Sequence, residues 1–193
     1  MRSAMIERTT TETSIRLKLI LDGGVPYEIS TGVGFFDHML SHIARHGSLG
    51  LSLEAKGDLQ VDEHHLVEDV GLCLGKALND ALGEKRGIER FGASFVTMDE
   101  AMARTVIDLS GRSYFVFNAA FSRESINGFP LEMVREFFRA VATEGRMNLH
   151  IALLYGDNAH HQSEAIFKSF GRALRDAVTV TGGDAIPSTK ETL

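Results

Sequence analysis

Alternation of apolar and polar side chains predicts the first strands of the chain. Residues 14–21 carry an apolar side chain at every second position, which is typical of a half-buried strand. A strand is also predicted over residues 5–13, although these are more polar. The sequence Asp-Gly-Gly at 22–24 favours a turn, and residues 25–30 are predicted to return as the hairpin partner of the strand before it.

Apolar residues spaced three and four apart then predict a helix over residues 35–46, with Gly47 as its C-terminal cap. A short strand follows at residues 49–53, where leucine occupies every second position. A longer helix is predicted to begin at His64 and to continue to Gly83.

The second part of the chain repeats this order of elements. Pro130 marks the start of a predicted helix, because proline is favoured in the first helical turn. The predicted strands lie at residues 93–97, 102–109, 114–121 and 148–154, and the predicted helices at residues 131–142 and from His160 to about residue 179.

The two long helices share a common register. Gly75 follows His64 at the same distance as Gly171 follows His160, and the residues after each glycine are alike. This similarity indicates an internal duplication.

The repeated unit is β-β-β-α-β-α, which predicts one α+β domain made of two half-domains at about residues 1–88 and 89–181, followed by a C-terminal tail of residues 182–193. Each half-domain is expected to hold a mixed or antiparallel sheet with two helices on one face. The helices of the two halves are expected to pack together and cover each other's apolar sides.

Composition narrows the classes of function. The chain has 193 residues and a net charge of −6, which argues against general binding to nucleic acid. Its single cysteine, Cys73, lies in an apolar run, so no intrachain disulfide is possible. No stretch approaches the ~20 apolar residues of a membrane span, and the N-terminus lacks a signal-like apolar core. We therefore expect a cytoplasmic protein with no membrane partner.

Candidate chemistry is concentrated at the start of the two long helices. Each begins with a His-His pair and has a glutamate four residues after the first histidine: His64, His65 and Glu68 in one, and His160, His161 and Glu164 in the other. Residues four apart share a helix face, whereas the second histidine is rotated by roughly 100°. One such motif is weak, but two copies at equivalent positions favour two metal sites.

The ligand types narrow the choice of metal. Neutral imidazoles and carboxylates suit Mn²⁺, Fe²⁺, Zn²⁺, Co²⁺ or Ni²⁺, and the lack of thiolates argues against a structural zinc site.

Other histidines are less clear from the sequence. His38, His42 and His46 follow one another at steps of four, so they share a helix face. For His42 and His46 a solvated polar face and a functional role remain open. His38 has further support, because the repeat aligns it with Glu136. His150 lies within a predicted strand, where we expect a hydrogen-bonded structural role.

These motifs resemble those of the imidazoleglycerol-phosphate dehydratase family over essentially the whole chain. The resemblance rests on GFFDHML at 34–40, DEHHLVED at 62–69, RFG at 90–92, DLSGR at 108–112, NAHHQSEAIFK at 158–168 and PSTK at 187–190.

This resemblance implies a hydro-lyase of histidine biosynthesis, which dehydrates imidazole glycerol phosphate to imidazole acetol phosphate and water. It implies a shell of 24 subunits with two Mn²⁺ per active site at subunit contacts. The implied metal ligands are His38, His64, His65, Glu68, Glu136, His160, His161 and Glu164. Glu136 stands where many relatives carry histidine, and His42 stands where relatives often have glutamine.

The resemblance also implies how substrate is held. Arg90, Arg112, Ser188 and Lys190 would bind the phosphate, and Lys168 and Glu12 would line the site. The full set of implied substrate contacts is Glu12, His38, His64, His65, Arg90, Arg112, His160, Lys168, Ser188 and Lys190.

The expected chemistry must explain how a carbon-bound proton of the substrate is removed, because no neighbouring carbonyl group makes that proton acidic. We hypothesise that two metals bind the ring nitrogens and stabilise an imidazolate, which expels the adjacent hydroxyl. A base then removes the neighbouring carbon proton, and the enol becomes a ketone. Glu12 and Glu164 are the candidate acids or bases.

Two other functions are compatible with the ligand types. A dinuclear metallohydrolase would use similar ligands but release inorganic phosphate from a phosphate ester. A metal-storing shell protein would explain interface histidines without chemistry, although the Arg, Lys and Ser set argues against it.

Overall fold

The computed structural model describes residues 1–23 and 26–190 and contains two similar halves. Its helices are α1 (Gly34–Gly47), α2 (His64–Leu82), α3 (Glu132–Glu144) and α4 (Ala159–Val178). Its strands are β1 (Ser3–Thr9), β2 (Thr13–Ile20), β3 (Glu28–Ser30), β4 (Gly50–Gly57), β5 (Phe91–Met98), β6 (Ala101–Asp108), β7 (Tyr114–Asn118), β8 (Ser125–Ile126), β9 (Phe129–Pro130) and β10 (Asn148–Tyr155).

Both halves have the same sheet topology. The first sheet has the strand order β1-β2-β4-β3 and the second β5-β6-β10-β7, so each is a mixed four-stranded sheet. In each sheet three strands are antiparallel neighbours, and the strand at one edge, β3 or β7, is parallel to the strand beside it. The predicted α+β fold with two β-β-β-α-β-α halves is confirmed.

The predicted hairpin at the start of the chain is wrong. β3 pairs in parallel with β4 and does not return against β2. Parallel neighbours need a long crossover connection, which α1 supplies between β3 and β4. Residues 24 and 25, which belonged to the predicted turn and returning strand, lie outside the described residues.

Smaller differences occur at element ends. Gly47 is the last helical residue of α1, and Ser48 takes the cap position in the left-handed region with φ 53°. Pro130 pairs with Ser125 in the β8–β9 hairpin, which the sequence did not reveal, so α3 begins two residues later. The third strand of the second half ends at Asn118, short of the predicted residue 121. The boundary between half-domains at residues 88 and 89 stays a prediction, as does the tail, of which residues 191–193 lie outside the described range.

The helices pack across the two halves. α2 of the first half packs against α3 of the second, and α1 packs against α4. The buried aromatic core between them consists of Phe36, Phe129, Phe137, Phe138, Phe167 and Phe170. Within the described residues, no helix combines the length and apolar character needed to cross a bilayer.

Two glycines in equivalent positions allow this close approach. A Cβ atom on Gly75 would lie 2.5 Å from the carbonyl oxygen of Val141, on α3. A Cβ atom on Gly171 would lie 3.0 Å from the carbonyl oxygen of Ile43, on α1. The register seen in the sequence therefore corresponds to two equivalent helix contacts between the halves.

We predict that Gly75→Ala destabilises the protein. Alanine favours a helix over glycine by about 1 kcal/mol, but overpacking against a backbone oxygen costs about 1–3 kcal/mol. The net loss should be up to about 2 kcal/mol in urea unfolding. Gly34→Ala is the control, because a Cβ atom there meets no atom within 4 Å. Equal stability of both variants would contradict the packing argument.

Candidate active site

Side-chain caps fix the direction in which both His-His pairs point. The Asn158 side-chain oxygen accepts hydrogen bonds from the backbone amides of His160 and His161, at 2.9 and 3.4 Å. In the first half, Asp62 accepts from the amide of His64 at 2.8 Å. These caps satisfy amides that the first helical turn leaves unpaired. Each pair is thereby held at the first turn of its helix.

The first cluster lies between α1 and α4. The Nε2 atoms of His38 and His160 each lie 3.0 Å from Glu164 Oε1, and His42 Nε2 lies 3.4 Å from the same oxygen. The other oxygen of Glu164 accepts a hydrogen bond from Lys168 Nζ at 2.5 Å. A single buried carboxylate therefore contacts three imidazoles and one ammonium group.

Burial and charge set the protonation states in this first cluster. Burial alone would raise the pKa of Glu164, but hydrogen bonds from Lys168 and His38 outweigh it and bring the pKa to about 2. Burial lowers the pKa of His42 to about 4, despite the nearby Glu164 carboxylate. At neutral pH, Glu164 is therefore ionised and His42 is neutral, which suits a metal ligand or a base better than an acid.

The second cluster lies between α2 and α3 at the equivalent place. His64 Nε2 lies 3.9 Å from Glu68 Oε2, as the spacing of four residues predicts. Arg139 donates hydrogen bonds to Glu68 Oε1 at 3.0 Å and to Glu136 Oε2 at 2.8 Å. This cluster therefore combines one imidazole, two carboxylates and a guanidinium group.

The second histidine of each pair is held by a carboxylate from a loop. Asp58 accepts from His65 Nδ1 at 3.1 Å, and Glu100 accepts from His161 Nδ1 at 2.7 Å. These hydrogen bonds are the largest cause of a raised pKa in both histidines. Glu12 Oε1 lies 3.8 Å from His65 Nε2. Glu12 and Glu100 occupy equivalent strand turns, but Glu12 lies near Nε2 of its histidine, whereas Glu100 accepts from Nδ1.

The first cluster has the geometry of a metal site, and the second offers the same types of ligand atom. His38, His160 and Glu164 place their ligand atoms within 4.8 Å of one another. A histidine whose Nδ1 donates to a carboxylate presents Nε2 to a metal in a fixed orientation, and His65 and His161 both have such a partner. Imidazole nitrogen and carboxylate oxygen suit Mn²⁺ and similar divalent ions.

A network beneath the first His-His helix holds the turn that carries Glu12. The buried Asp69 accepts a hydrogen bond from Thr13 Oγ1 at 2.5 Å and pairs with Arg8 at 2.9 Å. Thr10 Oγ1 in turn accepts from the amides of Glu12 and Thr13, at 3.1 and 2.9 Å. The Glu12 turn is thus tied to α2 through side chains.

The predicted phosphate-binding residues meet in one pocket. Arg90 donates to Asp108 at 2.7 Å and to the carbonyl oxygen of Pro187 at 2.7 Å, which fixes the C-terminal tail over the sheet edge. The pocket is about 550 Å³ in volume. It is lined by Arg90, Phe91, Ser110, Arg112, Pro187, Ser188, Thr189 and Lys190.

The single chain does not bring every predicted site residue together. None of the described residues that line the phosphate pocket belongs to either histidine cluster. His46 is half-buried beside His42, with ring centroids 5.8 Å apart, so neither occupies a fully solvated face. His150 is exposed and stacks on Tyr114. Its predicted hydrogen bond is not found among the described residues, because its side chain points to the outer face of the sheet.

Sequence reasoning missed two polar partners of the clusters. The sequence indicated Asp58 only as part of a Gly-Asp loop, although in the structure its side chain accepts a hydrogen bond from His65. Arg139 gave no signal, because its contact with Glu68 depends on how α2 and α3 pack.

Comparison with protein families places these features in a known group. The chain matches the family model described as imidazoleglycerol-phosphate dehydratase over residues 31–174. It is 53% identical over 191 residues to the imidazoleglycerol-phosphate dehydratase of Lacticaseibacillus casei, covering 98% of each chain. It is 56% identical over 180 residues to that of Streptococcus thermophilus, covering 93% of each.

Solved structures of similar proteins have the same fold. The crystal structure of imidazoleglycerol-phosphate dehydratase from Staphylococcus aureus superposes with a TM-score of 0.84 at 42% identity, covering 92% of this chain and 99% of the other. The enzyme from Pyrococcus furiosus, in complex with (S)-C348, gives a TM-score of 0.85 at 36% identity, with 97% and 100% coverage.

We predict that Asp69→Ala destabilises the protein by about 2–4 kcal/mol, because it leaves the buried Thr13 hydroxyl and Arg8 without their shared partner. Urea unfolding measures the change. Asp80→Ala on the same helix is the control, since Asp80 forms an exposed pair with Lys76 and its loss should change stability by at most about 0.5 kcal/mol. A loss at Asp69 no larger than that of the control would contradict the network.

We predict that Glu100→Ala lowers the pKa of His161 towards its ordinary value, because the hydrogen bond from Nδ1 raises it. NMR titration of the metal-free protein measures this pKa. Asp99→Asn should lower it less, because Asp99 lies 3.8 Å from Nε2. A pKa unchanged in the Glu100 variant would exclude the carboxylate as the cause.

Proposed function

The chain belongs to the imidazoleglycerol-phosphate dehydratase family of hydro-lyases, and we propose that it dehydrates imidazole glycerol phosphate in a metal-dependent step of histidine biosynthesis. The observation that carries the metal dependence is the first cluster, in which an ionised Glu164 lies 3.0 Å from both His38 and His160. A dehydration that begins at an unactivated carbon needs strong stabilisation of negative charge, and an ordered set of nitrogen and oxygen ligands could hold the cations that supply it.

We propose that two Mn²⁺ ions bind at these ligands. The first cluster would contribute His38, His160 and Glu164, and the second His64, Glu68 and Glu136. His65 and His161 would add ligands that face away from their own cluster. When bound, the ions supply Lewis-acid stabilisation of the negative charge that develops on the substrate's imidazole ring.

The chain's own side chains would hold the phosphate end of the substrate. Arg90, Arg112 and Lys190 offer positive charge, and Ser188 offers a hydroxyl donor. Such charge-assisted hydrogen bonds are short and directional, so they fix the position of a phosphate group. Asp108 already holds Arg90 in place, which reduces the ordering required when substrate binds.

Glu12 is our candidate for moving the carbon proton. Its carboxylate is half-exposed and near His65, on a turn fixed by the Asp69 network. A side chain held on a rigid turn can meet a substrate proton with little rearrangement. Glu164 is a second candidate base, but its contacts with three imidazoles and Lys168 favour a ligand role.

We propose that active sites form between copies of the chain, in a 24-subunit assembly. Two observations support this: the phosphate pocket is separate from the histidine clusters, and the outer face of the second sheet exposes large apolar side chains around Arg104 and His150. That face exposes Phe91, Phe95, Val106, Tyr114 and Val116. The matching face of the first sheet carries Arg16, Lys18, Glu54 and Lys56.

A group of exposed apolar side chains of this kind marks a contact surface.

We also propose a cytoplasmic location, in keeping with membership of a biosynthetic enzyme family.

We predict that chelation abolishes ketone formation and that Mn²⁺ restores it. His64→Ala and His160→Ala should each lower the bound Mn²⁺ per chain, which elemental analysis and native mass spectrometry measure together with assembled mass. Asp80→Ala is the control, because Asp80 lies at the opposite end of α2 from His64 and forms an exposed pair with Lys76. Full activity after complete removal of metal would refute the metal dependence.

The product separates the rival functions. Ketone formation from imidazole glycerol phosphate supports dehydration, whereas release of inorganic phosphate from the same substrate would support a metallohydrolase. Assembly and metal uptake without either product would favour a storage shell.

A further inference from the structure

Arg139 joins the two carboxylates of the second cluster. Its Nε atom donates to Glu136 Oε2 on its own helix, and its Nη2 atom donates to Glu68 Oε1 on the facing helix α2. One planar guanidinium group thus fixes the side chains of two carboxylates that come from different halves of the chain.

The contact uses one oxygen of Glu68 and leaves the other directed towards the imidazole. Arg139 contacts Oε1 of Glu68, whereas Oε2 is the oxygen that faces His64 Nε2 at 3.9 Å. The first cluster has the same division of roles. Lys168 holds Oε2 of Glu164, and Oε1 faces the imidazoles. In both clusters a cationic side chain holds one carboxylate oxygen and leaves the second free.

The two cations are not equivalent in the duplicated sequence. Lys168 follows Glu164 by one helical turn, but the corresponding position after Glu68 holds Leu72. The second cluster instead receives its cation from the facing helix. Both clusters therefore have a cation on one oxygen of the glutamate, although the cation comes from non-equivalent positions. This would be unexpected if Arg139 formed an incidental surface ion pair.

From this we infer that Arg139 is a positioning residue for metal binding at the second cluster. It turns one oxygen of Glu68 towards His64, holds Glu136 beside it, and offsets the repulsion between the two carboxylates. The inference rests on the metal dependence proposed above. Groups that orient metal ligands in this way typically contribute about 10–100-fold to metal affinity.

A purely structural role makes a different prediction. If Arg139 only links α2 to α3, its removal should change the stability of the protein and leave Mn²⁺ affinity intact. Arg139 is half-exposed, so an ion pair alone would contribute little to stability. The affinity of the individual metal sites is therefore the measurement that separates the two roles.

The experiment titrates the metal-free full-length protein with Mn²⁺ and follows free Mn²⁺ by electron paramagnetic resonance. It compares the unmodified protein with Arg139→Gln, Arg139→Lys and Arg175→Gln. Arg175 is the matched control, because it is a partly exposed arginine of α4 whose one ion pair among the described residues is with Asp176, at 3.7 Å. Native mass spectrometry and urea unfolding check assembly and stability of each variant.

We expect two Mn²⁺ per chain in the unmodified protein and in Arg175→Gln. In Arg139→Gln one ion should bind as before and the other about tenfold or more weakly. Arg139→Lys should be intermediate, because an ammonium group keeps the charge but lacks the planar fork. If both sites of Arg139→Gln bind Mn²⁺ as tightly as in the unmodified protein, or more tightly, the inference about Arg139 is overturned. The proposed metal dependence is not affected by that result. An unmodified protein that binds no Mn²⁺ would overturn both the inference and the proposed metal dependence.

Discussion

Packing between helices of opposite halves is the constraint on which the candidate site depends. Each ligand cluster takes one helix from each half, so neither half could form a cluster alone. In the first cluster, His38 of α1 meets Glu164 of α4. In the second, Glu68 of α2 meets Glu136 of α3 through Arg139. The close approach at Gly75 sets the distance between α2 and α3, and with it the geometry of the ligands.

The charges within the clusters explain how so many polar groups can lie together. Each candidate ligand carboxylate has a cationic neighbour, and the outward-facing histidines are held by carboxylates from loops. These partners leave Nε2 of His65 and His161 directed away from the carboxylate that holds Nδ1, which is the orientation that the proposed metal binding requires. The electrostatic balance is therefore local, and the overall charge of −6 has little influence on the site.

The duplicated halves share their backbone architecture but differ in several of their side chains. Helix order, sheet topology and the position of the His-His pairs are the same in both, because the clusters need equivalent backbone positions. The outer faces of the sheets differ, because that of the first carries mainly charged side chains and that of the second exposes several large apolar ones. Lys168 and Arg139 likewise provide the cation from different helices. The buried Asp69 has Ala165 as its counterpart, so only the first half ties its strand turn to the long helix in this way.

The sequence by itself determined the strands of the two four-stranded sheets, the four helices, the duplication and the His-His motifs, because periodicity and spacing are local properties of the chain. Only the tertiary structure decided that β3 lies parallel to β4, because a crossover can be distinguished from a hairpin only by its partner strand. It also decided that Asp58 holds His65 and that Arg139 reaches Glu68. Arg139 and Glu68 are far apart in sequence, and the packing of α2 against α3 brings them together. Asp58 is close to His65 in sequence, but their contact depends on how the loop after β4 folds against the start of α2.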